Sequence, residues 1–311
     1  MSSVIAGLPP DPILERRQLI QLAATRSLAR RTLMSRVVTG LLWASLVVAL
    51  VPLGSVIIAL VGKGARFLSW SFFSTLPQLP SLLSLNRIGG VGNAIVATLI
   101  IDALAALVAV PIGILVGMYL AESASPPARV LRSIVEIMTG MPSILLGVFA
   151  YEYLVVRMKS YSGLAAIVAL GILMVPVIAK AAEMAFRAVP QSLREAALAL
   201  GARESRMMRR VVMPTALPGV TTGVLLALAR AVGETAPVLL VVGPTISNLW
   251  NVNPLHPMTP MPLLIFGYAN SQYPSQRAAA WGVALTLVAL VVILTTTSRL
   301  ITARMRRERH T

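Results

Sequence analysis

The chain has 311 residues, of which 57% are hydrophobic and only 12% are charged. With a mean hydropathy of +0.81, this composition excludes an ordinary soluble domain and indicates a protein of the lipid bilayer. Cysteine is absent and there are only two histidines, which excludes disulfides, thiol chemistry and a histidine-rich metal site.

The positive charge of the chain follows its expected topology. Lys and Arg outnumber Asp and Glu by 27 to 11, which gives a formal net charge of +16. If the chain crosses the membrane six times with its N-terminus inside, about 19 of the 27 basic residues fall on or at the edge of cytoplasmic segments and 6 fall on outer segments. This is the bias that orients membrane proteins. Aromatic residues make up only 5% of the chain, so a surface for nucleic acid is not expected.

Six apolar stretches are long enough to cross a membrane. A hydrocarbon core of roughly 30 Å needs about 20 apolar residues of helix. We therefore predict an all-α integral membrane protein with both termini cytoplasmic, in which a tail of residues 1–36 precedes a transmembrane domain of residues 37–303 and a basic tail of residues 302–311 follows. The predicted spans are residues 37–61, 88–121, 133–156, 160–183, 216–243 and 278–301.

The third predicted span contains Gly-Met-Pro-Ser at residues 140–143. Pro142 removes a backbone hydrogen bond and disfavours a straight helix. We expect an ordinary proline kink here. The alternative is a new helix that starts at Ser143, whose amide end would favour an anion in a substrate pathway. In the second span, Asp102 is expected to make a polar contact between helices.

Residues 184–215 form a basic, water-compatible segment between the fourth and fifth spans. Gly201 divides it into two stretches of helix-forming residues, because glycine accepts the positive φ of a sharp turn. Pro214 is expected to end the second helix. One face of the first helix is apolar, so we expect it to be buried against another surface. The residues of this face are Leu193, Ala196, Ala197 and Leu200.

The fifth predicted span carries Arg230 and Glu234 one helical turn apart. A buried arginine costs about 3 kcal/mol on insertion scales, so such residues usually face a bundle interior or a water-filled path. The guanidinium group presents a planar fork of donors suited to a tetrahedral oxyanion. We therefore place Arg230 in the substrate pathway, with Glu234 neutralising it when the path is empty. The alternative is an ion pair that only holds helices together, with Lys180 or Glu183 as further members.

The segment between the fourth and fifth spans resembles the EAA loop of ABC importer permeases. The matching residues are Glu195, Ala196, Ala197, Gly201 and Pro214. The resemblance implies that they form coupling helices, which dock into a groove of a separate ATPase and tilt the adjoining spans when the ATPase closes. The alternative is an amphipathic basic loop that lies on anionic lipid.

Four further segments resemble the PstA-type permease subunits of phosphate ABC importers. They are GGVGNAIVATL at 89–99, GMPSILLG at 140–147, ALARAVGETAPVLL at 227–240 and MPLLIFGYA at 261–269. The resemblance implies the six-helix fold of type I ABC importer permeases, a location in the cytoplasmic membrane of a bacterium or archaeon, and inorganic phosphate as the cargo.

The same resemblance implies three protein partners. They are a PstC-type second permease subunit that completes a heterodimeric pathway, a homodimeric PstB-type ATPase and an extracytoplasmic PstS-type phosphate-binding protein. The ATPase would bind ATP and Mg²⁺, because none of the three lysines of this chain stands in a Gly-x-x-x-x-Gly-Lys-Ser/Thr motif. We expect no catalytic residue, cofactor or metal in this chain.

Two other functions are weighed against phosphate import. A permease for molybdate, sulfate or phosphonate would share the EAA loop, but the GETAP and MPLLIF segments disfavour it. An ion-coupled secondary carrier working alone would bind protons at Asp102, Glu136 and Glu234. Uptake by the purified chain in vesicles that contain no ATPase would support the carrier.

Overall fold

The computed structural model describes residues 12–78, 89–243 and 249–307. Residues 1–11 of the predicted N-terminal tail and residues 308–311 of the predicted C-terminal tail lie outside these ranges. All regular secondary structure within the described ranges is helical, and no strand occurs there. This confirms the all-α prediction. Pro77 and Gly89 form an isolated antiparallel bridge.

Helices are numbered here in chain order. They are α1 (Pro12–Gly64), α2 (Trp70–Ser74), α3 (Gly92–Glu122), α4 (Pro126–Gly140), α5 (Ser143–Met158), α6 (Gly163–Arg187), α7 (Gln191–Ala199), α8 (Glu204–Val232), α9 (Ala236–Val242), α10 (Met261–Ala269) and α11 (Pro274–Arg307). Among these described helices, α1, α3, α6, α8 and α11 are each long and apolar enough to cross a membrane. The bent pair α4 and α5 supplies a sixth crossing if it forms one span.

The first of two compact units ends at Ala59 and contains most of α1. No charged residue occurs between Val37 and Val61. The large apolar side chains of this helix, from Leu33 to Ile58, are exposed. A helix that is apolar on all sides is typical of a span surrounded by lipid.

The second unit begins at Leu60, and its main core lies between α3 and α6. Small side chains let the two backbones approach closely, since Ala105 and Ala109 of α3 are fully buried. At Gly117 the approach is tightest, because a Cβ atom there would lie 2.5 Å from the Cβ of Ala182. Within lipid, such close packing of small residues holds helices together where hydrophobic burial offers no advantage.

A sharp bend separates α4 from α5. α4 ends at Gly140, α5 starts at Ser143, and their axes differ by 102°. The expected proline kink is therefore wrong, and the structure has the alternative, a new helix at Ser143. The packing of α4 against α3 and α6 fixes its direction, so the chain turns at Pro142 instead of bending gently.

The segment between α6 and α8 contains the sharp turn that the sequence predicts. Gly201 has a φ of +77° and lies between α7 and α8. The expectation that Pro214 ends the second helix is wrong, since α8 continues from Glu204 to Val232. A π-helical turn at Met208–Val212 ends two residues before the proline. Its wider backbone spacing leaves room for a residue with a ring and no amide hydrogen.

The fifth apolar stretch also contains a break. α8 ends at Val232 and α9 begins at Ala236. α9 lies against α5, where a Cβ atom on Gly147 would come within 2.6 Å of the Cα of Pro237. Two helices that start inside the apolar region therefore stand side by side.

A second core cluster joins α10 and α11 to the start of α3. The Thr98 hydroxyl accepts a hydrogen bond of 2.8 Å from the backbone amide of Met261. Tyr268 is 1% exposed in the same cluster. These contacts fix the short helix α10 beside the half of α3 that is remote from α4.

Candidate functional site

Arg230 and Glu234 meet at the end of α8. The Arg230 Nε atom donates to Glu234 Oε1 at 3.2 Å. The side chain of Arg230 is 45% exposed, and that of Glu234 is 17% exposed. The terminal nitrogens of Arg230 form no protein hydrogen bond within the described ranges. The guanidinium group therefore keeps donors for a ligand.

Two backbone hydrogen bonds close the last turn of α8 at this pair. The amide of Gly233 donates to the carbonyl oxygen of Arg230 at 3.1 Å, and the amide of Glu234 donates to that of Ala231 at 3.1 Å. These bonds satisfy carbonyls that the end of a helix leaves free. They also fix the backbone that carries both charged residues at the point where the helix stops.

Ser143 is the first residue of α5 and is half-buried. α5 lies against α9, the helix that follows Glu234. The structure therefore brings Arg230 and Glu234 into contact and puts Ser143 on a neighbouring helix. Among the described residues, no hydrogen bond joins Ser143 to either of them.

Glu183 does not extend the Arg230 ion pair. Its Oε1 atom lies 2.8 Å from Arg187 Nη2 and 3.1 Å from Arg132 Nη2. The alternative that joins Glu183 to Arg230 is therefore wrong, because Glu183 already has two other cationic partners. Lys180 is exposed and forms no ion pair with any other described residue.

The apolar face of α7 is open. The side chains of Leu193 and Leu198 are 42% and 44% exposed, and that of Leu200 is 89% exposed. Glu195 and Ala196 are exposed as well, whereas Ala197 packs partly against the core. An apolar surface of this kind indicates a protein or membrane partner.

Gly201 extends this exposed surface, because a Cβ atom added to Gly201 would meet no other atom within 4 Å. Pro214 is half-buried inside α8. Of the five residues that match the EAA loop, four therefore lie on the elbow formed by α7 and Gly201. The beginning of α8 adds positive charge to the elbow through exposed arginines, which are Arg203, Arg206, Arg209 and Arg210.

Comparison with known families identifies this architecture. Residues 109–307 match the family described as "Binding-protein-dependent transport system inner membrane component". The chain belongs to this family. The match starts within α3 and extends to α11, so the elbow of the permease and the turn at Arg230 both lie inside it.

Curated relatives confirm the resemblance to PstA-type permeases. The "Phosphate transport system permease protein PstA" of Yersinia pestis is 34% identical over 252 residues, which cover 80% of this chain and 83% of that protein. PstA 1 of Mycobacterium tuberculosis (strain CDC 1551 / Oshkosh) is 35% identical and covers 85% of this chain and 87% of its own length. The probable PstA of Methanocaldococcus jannaschii is 34% identical, with 79% and 85% covered.

Solved ABC importers share the fold of this permease. A chain of the inward-facing MetNI methionine ABC transporter has a TM-score of 0.51 at 25% identity and covers 70% of this chain and 94% of its own. A chain of a bacterial ABC transporter involved in alginate import has a TM-score of 0.58 at 17% identity and covers 84% and 96%. The permease therefore has the type I importer fold.

Asp102 does not make the polar contact between helices that the sequence predicts, because no hydrogen bond or ion pair joins it to another described residue. It is 6% exposed, and its Oδ1 atom has no hydrogen-bond partner among the described residues of the permease. Together with Glu234 it lines a narrow cleft between α3, α8 and α10. It also lines a mainly apolar cavity of about 300 Å³ between α3, α8 and α11. Only the polar pair Thr98 and Asp102, one turn apart in an apolar span, signalled this site in the sequence.

Proposed function

We propose that this chain is one permease subunit of an ATP-driven importer of inorganic phosphate. The observation that carries the proposal is the 34–35% identity with proteins named PstA over 79–85% of the chain. The names of these relatives favour phosphate over molybdate, sulfate or phosphonate. The open guanidinium fork at the end of α8 is a structural feature that suits this cargo.

In the proposed pathway, Arg230 attracts phosphate and Glu234 keeps the arginine neutralised while the path is empty. The Nε–H of Arg230 is bound to Glu234 at 3.2 Å, which leaves the two terminal nitrogens for the oxygens of an anion. Ser143 lines the same pathway from the start of α5. The open amides of that helix end favour negative charge.

The elbow formed by α7 and Gly201 couples this pathway to an ATPase subunit. Its residues Glu195, Ala196, Ala197 and Gly201 form the docking surface, and Pro214 lies where α8 carries the movement towards the membrane. The exposed Leu193 and Leu200 support this role, since an apolar face on a basic cytoplasmic segment needs a cover. When the ATPase closes, α7 moves with it.

The proposed complex divides its tasks among different chains. A homodimeric PstB-type ATPase binds ATP and Mg²⁺ and hydrolyses the nucleotide, so this chain contributes no catalytic residue, cofactor or metal. A PstC-type permease supplies the other half of the pathway, and a PstS-type protein delivers phosphate from outside. Both termini and residues 184–215 lie in the cytoplasm, while residues 37–303 otherwise form the transmembrane domain.

Reconstitution tests the proposal directly. The chain is co-expressed with its permease, ATPase and binding-protein partners, purified as a complex and placed in proteoliposomes. We expect phosphate-loaded binding protein to stimulate ATP hydrolysis and phosphate uptake, and sulfate or molybdate to leave both rates at their basal values. Stimulation by sulfate or molybdate, with no stimulation by phosphate, would exclude phosphate as the cargo. Uptake by this chain alone, driven by an ion gradient, would identify a secondary carrier.

A further inference from the structure

Three arginines from three different helices converge on the last turn of α3. Arg132 of α4 and Arg187 of α6 donate to the carbonyl oxygen of Leu120, at 2.8 and 3.2 Å. Arg194 of α7 donates to both carboxylate oxygens of Glu122 through one terminal nitrogen, at 2.7 and 2.6 Å. The C-terminal end of α3 is therefore a shared anchor for α4, α6 and α7.

The anchor is partly buried and has several reinforcing contacts. Glu183 bridges two of the arginines, and its side chain is 12% exposed. The side chain of Arg194 is also 12% exposed. Such charge-assisted contacts are less screened by solvent than surface ion pairs. The negative end of the α3 dipole adds to the attraction for cations.

The attachment of α7 depends strongly on Arg194. Within the described chain no residue of α7 is fully buried, and its apolar contact with the core is made through Ala197. The second terminal nitrogen of Arg194 donates to the carbonyl oxygen of Phe186 at 3.0 Å. One guanidinium group thus links α7 to the ends of both α3 and α6.

We propose that Arg194 and Glu122 are positioning residues that carry movement of α7 to the end of α3, in addition to the route along α8. This inference rests on the proposed function, since α7 moves only if an ATPase subunit holds its exposed face. Displacement of α7 is passed to α3 by the Arg194–Glu122 pair and to α4 by Arg132. α4 leads into the bend before α5, and α5 packs on α9 beside the turn at Arg230. These contacts form a physical route from the elbow to the pathway.

The test measures how much phosphate the assembled complex transports for each ATP hydrolysed. The variants are Arg194→Gln, Glu122→Gln and the two combined. The control Arg129→Gln removes the same charge from an exposed position of α4 that forms no ion pair with another described residue. Each single variant is expected to lower phosphate transported per ATP by about tenfold, within the usual range of coupling between sites. The combined variant is expected to be no worse, because both changes remove one ion pair. Arg129→Gln should retain the wild-type ratio.

The outcomes separate this inference from the proposed function. A wild-type complex that fails to import phosphate would refute the proposed function. Wild-type import together with an unchanged ratio in Arg194→Gln and Glu122→Gln would overturn the inference, as would a combined loss equal to the product of the single losses. Arg194→Lys keeps the charge without the fork, so its ratio should lie between those of the wild type and Arg194→Gln.

A second measurement applies even if a variant does not assemble into the complex. Because the chain contains no cysteine, a spin label on Ser192→Cys reports the motion of α7 alone in the purified full-length chain. Glu122→Gln is expected to increase the mobility of this label, whereas Arg129→Gln should not change it. Unchanged mobility in Glu122→Gln would show that the ion pair does not hold α7, which would overturn the inference.

Discussion

Substitution of Gly117 by alanine tests the close contact between α3 and α6. The added Cβ would lie 2.5 Å from the Ala182 Cβ, 2.5 Å from the Ala179 carbonyl oxygen and 2.8 Å from the Glu183 amide nitrogen. None of these atoms is the end of a flexible side chain, so the helices themselves must separate. Overpacking of this kind costs about 1–3 kcal/mol, whereas alanine in a helix gains about 1 kcal/mol over glycine. We therefore expect a net destabilisation of up to about 2 kcal/mol.

Gly171→Ala is the matched control for this prediction. It lies on α6 in the same helix pair, but its only neighbour within 4 Å of a Cβ position is the Ala105 carbonyl oxygen at 3.9 Å. The assay compares midpoints of thermal unfolding of the purified chains in one detergent. Gly117→Ala should unfold below the wild type and Gly171→Ala at or above it. Equal midpoints for the two variants would refute the conclusion that the backbones touch at Gly117.

Three further substitutions examine the pathway, the docking surface and the turn. Arg230→Lys keeps the charge but loses the fork of guanidinium donors, so phosphate uptake by the complex should fall by about tenfold. The control Arg157→Lys should not reduce uptake. Equal uptake in both variants would remove Arg230 from the pathway. Leu200→Glu puts a charge on the exposed apolar face, so less ATPase should copurify, and an undiminished yield would mean that the ATPase docks elsewhere. Gly201→Val strains a position with a φ of +77° by about 1–2 kcal/mol, which should also reduce copurified ATPase. Gly140→Ala, with open space around it, serves as its control, and the reasoning fails if both variants retain the ATPase equally.

Features that depend on one helix at a time were predictable from the sequence. The apolar stretches identified the membrane helices, because the length of a span and its lack of charge are local properties. The spacing of Arg230 and Glu234 predicted their contact, which the structure confirms at 3.2 Å. A positive φ at Gly201 was expected for the same reason. The roles of these residues in transport stay predictions.

Two of the prolines inside helical sequence, Pro142 and Pro214, were interpreted wrongly, in opposite directions. Pro142 was expected to kink a helix, but the helix stops before it and a new one begins at a large angle. Pro214 was expected to stop a helix, but α8 continues through it after a π turn. A proline removes one hydrogen bond in either case. Whether the helix continues depends on the packing of the flanking turns, which the local sequence does not contain.

The ion pairs that hold the cytoplasmic end together were also beyond prediction from the sequence. Arg132 and Glu183 are 51 residues apart, and Glu122 and Arg194 are 72 residues apart. Their meeting depends on the close packing of α3 and α6, which brings the ends of four helices to one place. Sequence spacing gives no measure of such distances without the fold. Glu183 was consequently assigned to the wrong possible partner.

The bend between α4 and α5 also determines where acyl chains of the bilayer cannot pack directly against the protein. The amides of Ser143 and Ile144 donate no hydrogen bond within the described ranges, whereas that of Leu145 donates to the Pro142 carbonyl oxygen at 3.0 Å. No side chain caps this start of a helix. Acyl chains offer no hydrogen-bond acceptor, so bare backbone amides are not stable against hydrocarbon. The backbone at this bend must therefore contact water or polar groups. The bend is thus a permanent interruption of the apolar surface that the protein presents to hydrocarbon.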